Sequence, residues 1–308
     1  MTSWLCASLH TGTQGKVPAT SQGRASPRYS SETRPPGARL REVRAFEAID
    51  STNRYLIDEA IAGAEEGLVA VAGYQSAGRG RLGRTWEAPP GDNLLVSFLL
   101  KPRFALEELH LCTAVVALAA ADACVEVAGV EPELVWPNDL YVARRKLAGV
   151  LAESVPARKN TGAQRAVVVG LGLNVRWPPP GSGDDTPGEA GELVRAATSL
   201  WREAAESLST RSDSRVVCDV PEVRDVLGQV LEGLEHRVGD LDDAEGRGRV
   251  GEEYRRRCAT VGRKVRVVIA GETLEGTAVD LSLEGHLILD AGGRSCTVTT
   301  GDVIHVDW

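Results

Sequence analysis

Lysine is scarce in this chain: five of its 35 basic residues are lysine (Lys16, Lys101, Lys146, Lys159 and Lys264), and the other 30 are arginine. Where arginine is the default cation, the place of each lysine is informative. Aromatic residues make up only 5% of the 308 positions, which disfavours a surface built to stack on bases. The six cysteines (Cys6, Cys112, Cys124, Cys218, Cys258, Cys296) contain no CxxC pair, and the five histidines show no ligand spacing. They read as reduced thiols of a cytoplasmic protein without a structural metal. The longest apolar run, Leu111–Ala121, is followed by Asp122 and Glu126 and falls far short of a membrane span of roughly 20 residues. A charged n-region followed by an apolar h-region is missing from the N-terminus, which argues against secretion.

Net charge is −8, which excludes a general nucleic-acid coat; it divides into +4 over residues 1–40 and −12 over the remainder. Those first 40 residues are rich in Ser, Thr, Gly and Pro, without aliphatic periodicity or the paired short helices of a DNA-binding helix-turn-helix. Such a segment cannot bury enough surface to offset its ordering entropy, and the expectation is a disordered tail. From Leu40 to about Val175 strands and helices alternate. Strands are expected at Val43–Ile49, Leu68–Tyr74, Asn93–Lys101, Leu134–Trp136, Lys146–Ser154 and Ala166–Val175, and helices over Thr52–Ala64 and Leu106–Ala128. The ranges 155–165 and 177–191 read as exposed loops. Residues 192–258 read as helical, with a cap and early proline at Asp219-Val220-Pro221. From Val261 five short β runs separated by glycine turns read as a small SH3-like barrel.

Chemistry concentrates in four places. Gln75-Ser-Ala-Gly78-Arg79-Gly80-Arg81-Leu82-Gly83-Arg84-Thr-Trp86 holds three glycines, three arginines and no acid. Glycines let backbone approach a ligand closely, and arginines supply planar forks for phosphate or carboxylate. A flexible basic loop, or an RGG-like stretch that touches RNA, is the plainer explanation. A dinucleotide fold is rejected, because Trp86 and Pro89-Pro90 follow the glycines where that fold needs a helix. Trp136-Pro137-Asn138-Asp139 ends a strand and leads through a hairpin, with Arg144–Arg145 at its tip, to Lys146-Leu-Ala-Gly149. Lys146 opens an apolar strand, so its amine needs an anionic partner such as Asp139 or a ligand, unless its stem packs and its head reaches water. Gly170-Leu-Gly172-Leu-Asn174 closes another strand, and Asn174 either bonds backbone there or reads a ligand edge. Asp50-Ser51-Thr52-Asn53 precedes a helix, where capping is the simplest role and spare N–H donors are a second.

In this order and spacing, the set resembles the biotin–protein ligases: the Ser-Thr-Asn start, the GRGRxGR-x-W loop, the WPND strand end, the KLAG strand and the Gly-Leu-Gly-x-Asn strand. The resemblance runs from about Leu40 to the C-terminus. It implies an α+β fold, with a class II synthetase-like catalytic domain (41–258, mixed sheet with helices) and a small C-terminal SH3-like β-barrel (261–308). It also implies activation of biotin with ATP and Mg²⁺ to biotinyl-5′-adenylate, then transfer to a lysine of a biotin carboxyl carrier protein or domain. Neither DNA nor membrane is an expected partner. Carried over by position, Ser51, Thr52, Asn53 and Gln75 match biotin-binding residues, and Gly78, Arg79, Gly80, Arg81 and Arg84 match the loop that folds over biotin and adenylate. Lys146 and Gly149 match the KLAG strand of the ligand site, and Asn174 an adenosine-site residue. Lys146, Arg81 and Asp139 are the expected catalytic set, with Asp139 assigned to Mg²⁺ or to orienting Lys146. Trp86 and Trp136 are expected as pocket walls.

The physical demand is clear. A carboxylate must meet a phosphate, and at about 4 Å and an effective dielectric near 20 that repulsion is roughly 4 kcal/mol per charge pair. Local cations must offset it. Two departures stand out: Val135 occupies a place that is often basic in the family, and Leu82 one that is Arg in some members. Lipoate ligases and octanoyltransferases are the nearest alternative enzymes. A non-enzymatic basic-loop RNA-binding or scaffold protein is the alternative of a different class.

Overall fold

A computed structural model describes residues 32–33, 38–155, 165–182, 188–209, 219–269 and 272–306. An eight-stranded mixed sheet runs in the order β1-β2-β3-β4-β8-β7-β6-β5. Its strands are β1 (Glu32–Thr33), β2 (Glu42–Phe46), β3 (Leu68–Ala72), β4 (Leu94–Leu100), β5 (Glu133–Val135), β6 (Asp139–Val142), β7 (Arg145–Ser154) and β8 (Val167–Leu173). Among the described strands, only β2 and β3 pair in parallel. β3 and β4 are buried along their whole length, as strands covered on both faces must be.

The two faces carry different cargo. Helix α1 (Thr52–Ala62) packs Leu56 on one face with Ala70, Leu99 and Val168. Ser51 caps it, its hydroxyl accepting from the Arg54 N–H, and Gly63 ends it at φ +103°, the left-handed conformation that glycine adopts without strain. Helix α2 (His110–Ala128) lies on the opposite face against Val69, Val96, Phe98 and Leu171. Its outer side is closed by α5 (Val223–Asp240) and α6 (Ala244–Arg257), while α4 (Leu200–Ser209) also touches α2 and α3 (Gly188–Ala196) touches β7. The segment Leu106–Ala128 is long and apolar enough to cross a membrane, but two-thirds of that stretch is buried inside the protein. It is apolar all round because it is a core helix.

A second sheet of β9 (Lys264–Ile269), β10 (Glu272–Leu281), β11 (Leu287–Asp290), β12 (Ser295–Val298) and β13 (Asp302–His305) is antiparallel, in the order β12-β11-β10-β9-β13. It forms the small C-terminal β domain.

Several expectations need correction. Leu40 is fully buried, and Glu32–Thr33 pair with Glu42–Val43, so these positions do not belong to a disordered tail; residues 1–31 and 34–37 lie outside the described set. The loop expected over 177–191 gives way to α3 at Gly188, because the apolar signal of that helix sits in its C-terminal half. Residues 156–164 and 210–218 also lie outside the described set. Residues 106–108 form a separate 3₁₀ turn held by i→i+3 bonds before α2. Helix α5 starts at Val223 after Glu222, without a side-chain cap; Pro221 is instead engaged through its carbonyl by Arg176.

Candidate active site

Pairing register lays one line of side chains across the α1 face. Ala70 sits opposite Ser97 and Ser97 opposite Gly170. Beyond them Gly170 faces Leu151, Gly172 faces Gly149, and Gly149 faces Asp139. Paired residues share a face, so three glycines pave the floor beside Asp139. Onto that floor the loop lays Trp86: a Cβ on Gly172 would come within 2.5 Å of the indole, and one on Gly149 within 3.3 Å of both Trp86 and Asp139 Oδ1. A Cβ on Gly170 would overlap the Asn53 amide.

Lys146 reaches the same face through a β-bulge. The register shifts between Leu140 and Tyr141, which pair with Ala148 and Lys146 respectively, leaving Leu147 extra. Leu147 and Ala148 both join the α2-side core, and the lysine is returned to the side of Asp139. Such bulges re-aim side chains. Lys146 Nζ then lies 2.8 Å from Asp139 Oδ2 and 5.7 Å from the centre of the Trp86 ring, a cation–π arrangement. The hairpin tip is Ala143–Arg144, both at positive φ (+46° and +68°), and Arg145 is already in the ladder opposite Val142; two such residues make the turn type that follows strand twist.

The arginine loop is a tight hairpin. Trp86 N–H donates to Gly78 O, and Gly80 N–H to Arg84 O, at 3.0 and 2.8 Å. Gly78 has no room for a Cβ against the Trp86 carbonyl. At the tip, Leu82 is 66% exposed and held at φ +55°. Arg79 donates to Glu153 at 2.7 Å. Arg81 donates to Asn138 Oδ1 at 3.1 Å and reaches Thr300 and Gly301 of the C-terminal β domain at 3.3 and 3.4 Å. Arg84 is exposed.

At the other end of the floor, Ser51, Thr52 and Asn53 are buried. Gln75 Oε1 accepts from the Thr52 N–H at 2.7 Å. Asn174 adopts the strand-closing role: its Oδ1 accepts from Asn93 at 2.9 Å, and its Nδ2 donates to the Lys146 carbonyl at 3.4 Å. Thr198 N–H also donates to that carbonyl, so the lysine backbone is gripped from two sides. Trp136 is no wall of the lysine site. Its indole N–H donates to Gly285 O of the β domain at 2.8 Å, and it lines a cavity of about 360 Å³ with Arg81, Asn138, Tyr254 and His286. Tyr254 donates to Pro137 O at 3.2 Å; burial raises its phenol well above the usual value, which keeps it a donor.

Two buried polar atoms beside Lys146 lack any protein partner: Trp86 Nε1 and Asp139 Oδ1. Such orphans are costly and call for an explanation, a bound water, ion or ligand among them. Among the described residues no group of three His, Cys, Asp or Glu side chains gathers to hold a metal ion. The reasoning from sequence missed Ser97, Glu153, Asn93 and Tyr254. Ser97 is visible as a single polar residue interrupting an apolar strand, and Glu153 as the first polar residue after the apolar run from Leu147, whereas Tyr254 gives no local signal. The described cysteines Cys112, Cys124, Cys258 and Cys296 are free thiols.

The Lys146–Asp139 pair, the three glycines and the clasped arginine loop together make the candidate site. The sequence profile of the biotin/lipoate A/B protein ligase family matches residues 45–174. The chain is 32% identical over 276 residues to a biotin–[acetyl-CoA-carboxylase] ligase of Mycobacterium tuberculosis, covering 88% of this chain and 91% of that protein. It is 36% identical over 133 residues to a bifunctional ligase/repressor of Escherichia coli, a match spanning 43% of this chain and 40% of that one. A biotin protein ligase from Aquifex aeolicus, solved in complex with biotin and ATP, shares the fold with a TM-score of 0.65 at 24% identity, covering 85% of this chain and 97% of that one. The chain belongs to the biotin–protein ligase family and is a ligase.

Proposed function

We propose that this chain joins biotin to ATP as biotinyl-5′-adenylate and then passes biotin to a lysine of a biotin carboxyl carrier domain. The observation that carries the reading is the Lys146–Asp139 pair at 2.8 Å on the glycine floor, faced by the arginine loop. In the first step a biotin carboxylate oxygen attacks the α-phosphorus, the bond to the β-phosphate breaks, and pyrophosphate leaves. Lys146 sits where both anions meet and offsets their repulsion. Arg79 and Arg81 cover the adenylate, while Gly78, Gly80 and Gly149 allow close approach and Arg84 adds charge. Ser51, Thr52, Asn53 and Gln75 offer hydroxyl and amide groups to the ureido ring. Asn174, proposed for the adenosine end, acts here chiefly by holding the Lys146 carbonyl. In the second step the acceptor amine attacks the acyl carbon, loses its proton, and AMP leaves.

Asp139 Oδ1, buried without a protein partner, fits a Mg²⁺ that arrives with phosphates. This ion commonly takes one or two carboxylates, with the remainder from phosphate and water. When bound it would neutralise phosphate charge.

The names of the relatives and the biotin and ATP bound in the Aquifex protein support this reading. Its test is mass spectrometry of a carrier domain incubated with this protein, ATP and biotin. A gain of one biotin is expected. No gain with biotin but a gain with lipoate moves the chain to the lipoate branch and overturns the proposal.

A further inference from the structure

A line of close polar contacts leaves the arginine loop at Gln75 and returns to it at Arg79. Gln75 Oε1 accepts from the Thr52 N–H and lies 3.0 Å from the Thr52 hydroxyl. The Thr52 and Ser97 hydroxyls are 2.7 Å apart, and Ser97 Oγ is 2.6 Å from Asn53 Oδ1. Asn53 Nδ2 donates to Glu153 Oε2 at 2.8 Å, and Arg79 donates to the same oxygen at 2.7 Å. Ser97 is fully buried, and Gly170 leaves the space in which the Asn53 amide lies.

Each hydroxyl has one proton to give, so two protons serve three contacts and three arrangements exist. In the first, Thr52 donates to Ser97 and Ser97 to Asn53, and Gln75 Oε1 is satisfied by the Thr52 backbone alone. In the second, Ser97 donates to Thr52 and Thr52 to Gln75, leaving Asn53 Oδ1 without its proton. In the third, Thr52 donates to Gln75 and Ser97 to Asn53, and the two hydroxyl oxygens face each other at 2.7 Å with no proton between them. A carboxylate accepting from Asn53 Nδ2 polarises the amide, makes Oδ1 the stronger acceptor, and disfavours the second. The third leaves this shorter contact empty to fill the 3.0 Å one to Gln75, whose oxygen already accepts from the Thr52 N–H, so the first is favoured.

We propose that Glu153 is a positioning residue of the biotin site. Its carboxylate sets the direction of this relay, and so what Thr52 and Gln75 present to the ligand, while it anchors Arg79 on the loop. Ser97 is the central link. The inference rests on the ligase reading above.

Biotin-dependent ATP–pyrophosphate exchange by the full chain tests it, beginning with the wild type. Absence of wild-type exchange overturns the ligase reading, and this assignment with it. Glu153→Gln, which keeps shape but removes charge, should raise the KM for biotin about tenfold or more, as expected for one lost charge-assisted bond. The KM for ATP should rise less than that for biotin. Glu153→Asp, which keeps the charge, should recover part of the biotin KM. Ser97→Ala should raise it in the same way, and the double variant should be little worse than the worse single one, since both cut one relay. Should Glu153→Gln fold poorly, calorimetric biotin binding by Ser97→Ala supplies the same reading. An unchanged biotin KM overturns the assignment, as does a parallel rise for ATP and biotin.

Discussion

Replacing Lys146 by alanine separates what the pair with Asp139 does for catalysis from what it does for the fold. At 2.8 Å, with the two side chains 32% and 21% exposed, the bare attraction is about 6 kcal/mol at an effective dielectric near 20. Desolvation and solvent screening reduce the net worth of so accessible a pair to the order of 1 kcal/mol. The variant then leaves Asp139 with Oδ1 already partnerless and Oδ2 newly stripped, a cost of about 1–3 kcal/mol in stability. On the proposed mechanism, loss of the Lys146 charge costs more in rate, about 10²–10³-fold in kcat. Adding Asp139→Asn to Lys146→Ala removes the stranded carboxylate, so stability should recover while activity stays lost. Thermal melts and biotin-dependent pyrophosphate exchange read the two quantities. Exchange within about tenfold of wild type in Lys146→Ala would refute the electrostatic role. A double variant as unstable as the single one would refute the account of Asp139.

Two further outcomes follow from the floor and the clasp. Gly172→Ala forces the new methyl against the Trp86 indole, 2.5 Å from its nearest ring atom; a destabilisation of about 1–3 kcal/mol is expected, relieved in a Trp86→Ala background, and chemical denaturation of the four-member cycle checks it. Arg81→Ala removes the contacts to Asn138, Thr300 and Gly301 and should let activated biotin escape. The expected result is more biotin on a bystander protein than with wild type, and transfer as selective as before counts against the clasp.

Much of the site was legible because its chemistry is written in contiguous segments. Ser51 announced α1 as a hydroxyl directly before an apolar period, and Gly129 marks the end of α2 at φ +62°. The arginine loop showed its cations but not its stiffness, since the bonds that close it are backbone bonds between Gly78 and Trp86 and between Gly80 and Arg84. The sequence shows Trp136 only beside Asn138 and Asp139, and it does line a cavity with Arg81 and Asn138, but its hydrogen-bond partner, Gly285, lies 149 residues away. Helix α5 was placed too early for a related reason. Burial of Val223 rather than a polar cap decides its start, and burial is a property of the whole chain.

The bulge at Leu147 gives the Lys-Leu-Ala-Gly segment a meaning beyond its residue types. In a regular strand, positions separated by an odd number of residues point to opposite sides, yet Lys146 and Gly149 share a side with Asp139. The extra residue changes the parity of the strand, and the amine reaches its partner only because of that change. Deleting one residue between 146 and 149 would remove the bulge and leave the amine on the side of Asp139 in a regular strand, whereas a regular strand that kept all four residues would turn the amine through the sheet toward α2. The motif is thus a count as much as a composition.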